Sequence, residues 1–389
     1  MTRASLPPLH AAIAAMPRSG IREVADLAAQ RGGVLRLEVG EPNFATPAHI
    51  VEAGCRALRD GHTGYTANAG TGELRHAVAR KLQRCNGLDV DAEQVVVTSG
   101  AVGALLQALM VLAAPGERVL VPDPGWPNYT MMATMIGAEA VAYRLHPAMG
   151  YEPELDRLAV LMAEPRVKVL IVNSPSNPTG GVWREATIRR VLELARTHGV
   201  YVVSDEVYED MVFEGEHISP AALDDTGLVV TVSSLSKTYA MTGWRIGYLA
   251  AERRIAALVA KVQEAVVACP NAAAQVAACA ALDGPQDCVA EMRDAYRGRR
   301  DVAVSALREA DMFVTEPRGA FYVLADVGAF GDDVAGLART LVADHGVAVA
   351  PGTTFGGSAA GLVRISLASE TRVIRAGIER IRAARDAAC

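Results

Sequence analysis

The chain reads as an α/β protein built on a mostly parallel, seven-stranded sheet with helices on both faces. Three observations predict this. Seven short apolar segments rich in β-branched residues recur through the middle of the chain, at 94–98, 118–122, 140–145, 167–173, 200–204, 229–233 and 246–250. Helical patterns alternate with them, the order that produces crossover connections and a parallel sheet. Several segments run directly into polar residues, and open α/β sheets bind ligands beyond the carboxyl ends of their strands.

Each element has a local reason. The valine run at 95–97 leads into Ser99-Gly100-Ala101, where a helix begins. Free amides and the positive helix end would face an anion there, and Gly100 lets the backbone approach closely. The same turn reads equally well as an ordinary N-cap. Segment 167–173 continues into Asn173-Ser174-Pro175-Ser176-Asn177-Pro178-Thr179-Gly180, whose X-Pro steps hold Asn177 at the strand tip. Residues 184–198 carry apolar side chains at Ile188, Val191, Leu192 and Ala195, a helical spacing that Gly199 ends as a C-terminal cap. Segment 200–204 ends in Asp205-Glu206-Val207-Tyr208, a carboxylate followed by a phenol three residues on.

Segment 229–233 leads into Ser234-Leu235-Ser236-Lys237-Thr238, and Gly243-Trp244-Arg245-Ile246-Gly247 follows. A lysine desolvated beside a second cation loses its proton readily and can form a Schiff base, while the arginine fork suits a phosphate. A surface lysine beside a tight turn is the plainer alternative. The alanine-rich tract 265–282, interrupted by Pro270, Asn271 and Gln275, reads as a core helix after a kink and not as a membrane span. After Gly284-Pro285, a helix over 291–307 precedes short strands at 320–325, 347–350 and 362–367.

Composition narrows the function classes. With 389 residues, 51% of them hydrophobic, the chain can bury a large core and divide into two domains. A net charge of −6 and no Lys/Arg run longer than two argue against nucleic acid and anionic membranes as partners. Eight scattered histidines without an HExxH pattern give metal chemistry little support. Cys55, Cys85, Cys269, Cys279, Cys288 and Cys389 lack the short paired spacing of zinc sites; they read as reduced small hydrophobes, with Cys389 exposed. Gly70-Thr71-Gly72 begins a dinucleotide fingerprint, but Arg75 stands at its third glycine, so the near match carries no weight. The stretch from Leu9 to Ala15 is too short for a secretory signal and contains His10, so cytoplasm is the expected compartment.

Taken together with Leu37-Glu38-Val39-Gly40-Glu41-Pro42-Asn43-Phe44, Tyr65-Thr66-Ala67-Asn68-Ala69-Gly70, Glu73-Leu74-Arg75 and Val363-Arg364-Ile365-Ser366-Leu367-Ala368, these motifs carry a family likeness. The chain resembles the class I aminotransferases, pyridoxal 5'-phosphate enzymes of fold type I, in the branch with bacterial aspartate and aromatic aminotransferases. The resemblance covers nearly the whole chain. It implies a large cofactor-binding domain at 44–283 and a smaller α+β domain made of 1–43 and 284–389.

The resemblance also implies a site. Ser99, Gly100, Ala101, Ser234 and Arg245 would hold the cofactor phosphate, joined by Tyr65 from the neighbouring subunit of a homodimer. Asp205 would pair with the pyridine nitrogen, and Asn177 and Tyr208 with the ring's phenolic oxygen. Trp126, in the turn Asp123-Pro124-Gly125-Trp126-Pro127-Asn128-Tyr129, would stack on the ring, although a core tryptophan beside a proline turn is common. Lys237 would anchor the cofactor and move the proton at the substrate α-carbon. Arg364 would clamp the substrate α-carboxylate with the Gly40 backbone alongside; as a lone arginine in a strand it could instead reach for the surface.

The implied activity moves the amino group of an L-α-amino acid to a 2-oxoacid in ping-pong order. Val102 stands where dicarboxylate-preferring relatives place a lysine, and Asn271 where another branch places an arginine, so a neutral, aromatic or branched donor is expected over aspartate. A second cation from Arg18, Arg22 or the other subunit would reverse that expectation. A β-eliminating lyase would use the same Lys237 and Asp205. A regulator with an aminotransferase-like domain would place a DNA-binding domain ahead of this region, and the 36 residues before Leu37 show no such pattern.

Overall fold

Eight strands make up the principal sheet of the computed structural model, which describes residues 7–388. They are β1 Val95–Thr98, β2 Arg118–Asp123, β3 Glu139–His146, β4 Glu152–Pro153, β5 Val167–Asn173, β6 Tyr201–Asp205, β7 Val229–Ser234 and β8 Gly247–Ala250, in the spatial order β1-β8-β7-β6-β5-β2-β3-β4. Strands β7, β6, β5, β2 and β3 pair in parallel. Strand β8 is antiparallel to both of its neighbours. The expected count of seven strands is therefore one short. The extra strand, β4, pairs with β3 through two residues and ends in a proline, which places it at the edge and leaves it no apolar run to announce it.

Strand β5 is continuously apolar from Val169 to Val172 because both of its faces are covered there. Val169 and Ile171 pack under the helices Gly100–Leu112 and Arg253–Val266, whereas Leu170 and Val172 pack under Leu155–Met162 and Glu185–His198. Each such side chain contributes about 1.5 to 3 kcal/mol on burial. Gly199 ends the last of these helices at φ 65°, a left-handed conformation that glycine adopts without strain.

Three other expectations need adjustment. The alanine-rich tract forms parts of two helices, Arg253–Val266 and Ala272–Asp283, because the Asn271 side chain accepts the Ala274 amide at 2.8 Å and starts a new helix. Among the described residues no helix is long and apolar enough to cross a membrane. The strand expected at 347–350 breaks at Val349: Val347–Ala348 pairs in parallel with Leu35–Arg36, and Ala350–Pro351 pairs antiparallel with Leu362–Ser366. Cys55 and Cys85 are exposed and not core residues, and Cys389 lies outside the described residues.

The second half of the fold brings distant segments to one place. Leu362–Ser366 lies between Tyr322–Asp326 and Ala350–Pro351, and the Ser366 amide donates to the Leu37 carbonyl at 2.8 Å. Residues 38–41 thereby come beside Arg364 and face the carboxyl ends of the large sheet.

Candidate active site

Asn173, Asp205 and Ser234 end β5, β6 and β7, so the parallel sheet presents an amide, a carboxylate and a hydroxyl along one edge. They open onto a cavity of about 610 Å³ that also contains Lys237, Arg245 and Arg364.

Arg364 is 1% exposed. Its Nη1 donates to Asn177 Oδ1 at 3.0 Å, its Nη2 donates to the Glu38 carbonyl, and its Nε has no partner among the described residues. The guanidinium carbon lies 4.3 Å from the Tyr322 ring centroid and 5.0 Å from that of Phe355. Burial lowers its pKa from the ordinary value. A buried guanidinium whose hydrogen bonds end on an amide and a carbonyl is suited to an incoming carboxylate.

Lys237 Nζ donates to the Gly40 carbonyl at 2.6 Å. Burial brings its pKa down to about 8, and Arg364 and Arg245 add to the effect against the opposing pull of Glu41 and Asp205. Roughly a tenth of this amine is uncharged near neutral pH, far more than of an ordinary lysine, and the uncharged amine is the form that acts as nucleophile or base. Gly40 has to be a glycine here, because a Cβ would collide with the Tyr322 hydroxyl.

Asp205 is buried, and burial pushes its pKa up to about 6 despite hydrogen bonds from Tyr129 and the Val207 amide. The Tyr208 and Tyr322 hydroxyls share a hydrogen bond at 2.8 Å. Burial raises the pKa of Tyr208, so its hydroxyl keeps its proton.

At the opposite end, Gly100 has φ 75°, and a Cβ there would meet Arg245 Nη2 at 2.5 Å. Arg245 also adopts a left-handed conformation, φ 56°. Ser234 Oγ donates to the Ile246 carbonyl at 2.9 Å and accepts the Ser236 amide at 3.1 Å. An exposed guanidinium over a side-chain-free helix start forms a cradle for an anion.

Of the residues expected at the site, Gly40, Ala101, Trp126, Asn177, Asp205, Tyr208, Ser234, Lys237, Arg245 and Arg364 line this cavity. Ser99 and Gly100 lie just outside the lining. Tyr65 is 92% exposed and stands apart from the cavity. Val102 lines it at 39% exposure, whereas Asn271 caps its helix elsewhere. Arg22 lines the cavity, while Arg18 pairs with Asp26 at 2.9 Å.

Three residues that sequence reasoning passed over belong to this arrangement. Tyr129 lies three residues after Trp126, and their rings meet edge to face at 5.5 Å. Asn173 fixes the proline turn by accepting the Asn177 amide at 2.9 Å and donating to the Asp205 carbonyl at 3.0 Å. Tyr322 lies in an apolar strand, where nothing in the sequence marks a hydroxyl as functional.

Among the described residues, Glu206, Glu209 and His217 bring possible metal ligands within 4.8 Å of one another. Their carboxylate oxygens already accept from other groups: Glu206 from Ser219 and His217, and Glu209 from Ser233, Asn86 and Lys81. Lys81 supplies a balancing cation 2.6 Å from Glu209, so the group reads as a neutralised structural network.

The family model for aminotransferase class I and II matches residues 32–381. A probable aspartate/prephenate aminotransferase of Thermus aquaticus is 40% identical over 357 residues, covering 90% of this chain and 92% of the relative. An arginine–pyruvate transaminase of Pseudomonas aeruginosa is 36% identical, with 90% and 89% covered. The solved aspartate aminotransferase of Thermus thermophilus with maleate superposes with a TM-score of 0.92 at 38% identity, over 97% of this chain and all of that one. An anion cradle, a lysine of lowered pKa and a buried carboxylate fit the phosphate, aldehyde and pyridine nitrogen of one cofactor. The chain therefore belongs to the class I and II aminotransferases, enzymes that use pyridoxal 5'-phosphate to transfer amino groups between amino acids and 2-oxoacids.

Proposed function

We propose that the enzyme takes its amino group from neutral or aromatic L-amino acids in preference to aspartate. The observation that carries this reading is the side-chain end of the cavity, where Ile21, Val39, Val102 and Trp126 contribute apolar surface and the Arg22 guanidinium is exposed, so that water screens its charge. The helix Gly100–Leu112 that begins there contains no cationic residue. Relatives named for aspartate and for arginine leave the donor open, so the lining has to decide it.

The roles of the residues follow from their chemistry. Bound pyridoxal phosphate supplies an aldehyde carbon to receive the amino group and a ring to take up electron density from the α-carbon. Arg364 binds the substrate α-carboxylate through its fork, and Asn177 holds that fork in place. Lys237 Nζ would hold the cofactor through its aldehyde carbon and, as a free amine, would take up and return the proton of the substrate α-carbon. Asp205 would accept from the ring nitrogen and favour its protonated form, and Tyr208 with Asn177 would hold the phenolic oxygen. Gly100, Ala101, Ser99, Ser234 and Arg245 hold the phosphate, and Trp126 covers the ring. The division at 44–283 against 1–43 with 284–389 places the cofactor on the first unit and Arg364 on the second. Tyr65, exposed on one chain, reaches the phosphate of a second copy in a homodimer.

A donor scan tests the preference. Single amino acids are mixed with cofactor-loaded enzyme without any 2-oxoacid, and the bound cofactor's absorbance is followed. Phenylalanine- or leucine-like donors should convert the cofactor about tenfold faster than aspartate, the size of a side-chain mismatch in an apolar pocket. Faster conversion by aspartate than by every neutral donor would overturn the reading.

A further inference from the structure

The carboxylate at the end of β6 does not act by itself. Asp205 Oδ2 accepts from the Tyr129 hydroxyl at 2.7 Å, whereas among the described residues Oδ1 has only the Val207 amide at 3.3 Å. Tyr129 is buried on the helix Asn128–Met135, and among the described residues its hydroxyl has no other hydrogen bond. A carboxylate only accepts, so the phenol has to donate.

Four ionisable groups face Asp205: Tyr129 from that helix, Lys237 from the segment Leu235–Thr238, and Glu206 and Tyr208 from its own stretch of chain. Burial and Glu206 work against the charged carboxylate, while Tyr129, the Val207 amide and Lys237 favour it. Among the favourable contributions, the Tyr129 hydrogen bond is the largest.

We infer that Tyr129 is a positioning residue that keeps Asp205 ionised and pins Oδ2, so that the less engaged Oδ1 is the oxygen offered to the cofactor's ring nitrogen. This inference rests on the reading of Asp205 given under Proposed function. The same short turn would then deliver both the ring-covering Trp126 and the phenol that sets the charge behind the ring, and their edge-to-face contact fixes one against the other.

The test begins with Tyr129→Phe, which keeps the ring and removes the donor. Without that donor the carboxylate holds its proton to higher pH. The acid limb of the half-reaction should therefore move up by about one pH unit. The rate should fall about tenfold to a hundredfold, the size of one hydrogen bond to a charged acceptor, with the apparent affinity for the amino donor little changed. The nitrogen-15 resonance of labelled cofactor bound to the variant should shift toward the unprotonated ring. A fluorinated tyrosine at position 129, a stronger donor of the same shape, should move the acid limb down, which also guards against a folding defect in the phenylalanine variant. In an Asp205→Asn background, Tyr129→Phe should change the rate by less than about twofold, because coupled positions do not add.

An unmoved acid limb and nitrogen resonance in both tyrosine variants would overturn the inference, as would an equal loss from Tyr129→Phe in the Asp205→Asn background. Near-normal rates in Asp205→Asn would instead remove the underlying reading of Asp205.

Discussion

The two ends of the cavity are built on different principles. At the cofactor end, Asn173, Asp205 and Ser234 terminate adjacent parallel strands, and each is buried and hydrogen-bonded. At the side-chain end, Ile21, Arg22, Val39 and Val102 come from a helix start, a connecting segment and a second helix start, with Arg22 and Val102 exposed. The first end is fixed by the sheet, and the second by how chain segments far apart in sequence meet. Fixed groups suit chemistry common to every turnover, whereas a loosely assembled rim can change with the donor.

The largest expected effect tests whether the cofactor end holds the chemistry. Lys237→Ala should lower transamination about 1,000-fold, within the range of losing a general acid–base group. Borohydride reduction of wild-type holoenzyme should leave the pyridoxyl label on Lys237, as peptide mapping would show. In the cofactor-free protein, addition of pyridoxal phosphate should accelerate as pH rises, with a midpoint near the amine's pKa of about 8. The sign follows from burial, which disfavours the ammonium and so exposes the reactive free amine at lower pH than an ordinary lysine does. Mixing Lys237→Ala chains with Tyr65→Phe chains should restore part of the activity, because one site in each hybrid would carry neither change. Label on another lysine, or no recovery despite proven subunit exchange, would break the corresponding half of this account.

The contrast between the two ends also explains what the sequence could reveal. Strand segments such as 95–98 and 229–234 were legible because both faces of the sheet are covered, so that their residues are all buried and valine dominates them. Asn177, Asp205 and Lys237 were legible because polar groups directly follow such runs. Tyr322 was hidden inside an apolar strand, and its role depends on a hydroxyl 2.8 Å from Tyr208 in another part of the chain. Tyr129 carried a faint signal, its spacing of three from Trp126 on a helix start. Only the fold shows that its hydroxyl ends on Asp205. The break at Val349 was likewise invisible, since the partners of residues 347–351 are chosen by tertiary pairing and not by local preference.

A smaller effect belongs to Arg364, which stands between the two ends. Arg364→Lys keeps a positive charge but loses the fork that can hold a carboxylate while bonding Asn177 and the Glu38 carbonyl. Its kcat/KM should fall about tenfold to a hundredfold for all α-amino acid donors alike, corresponding to about 1.5 to 3 kcal/mol. A loss confined to one class of donor would mean that Arg364 reads the side chain and not the α-carboxylate.

The smallest effect concerns Val102, where the rim can be altered without touching the sheet. Val102→Lys places a cation at the start of the helix Gly100–Leu112, in the lining of the cavity. The position is 39% exposed, so water screens the new charge and the gain for a distal carboxylate is that of a surface pair, about 0.5 to 1 kcal/mol. Aspartate should improve about twofold to fivefold relative to phenylalanine in kcat/KM, with the phenylalanine half-reaction nearly unchanged. The parallel change Arg22→Ala separates two sources of cation. If Arg22 already serves a distal carboxylate, its loss should weaken aspartate alone and Val102→Lys should restore part of that activity. If both variants leave the aspartate-to-phenylalanine ratio where it was, neither position reads the donor side chain, and the apolar lining cannot be the basis of specificity.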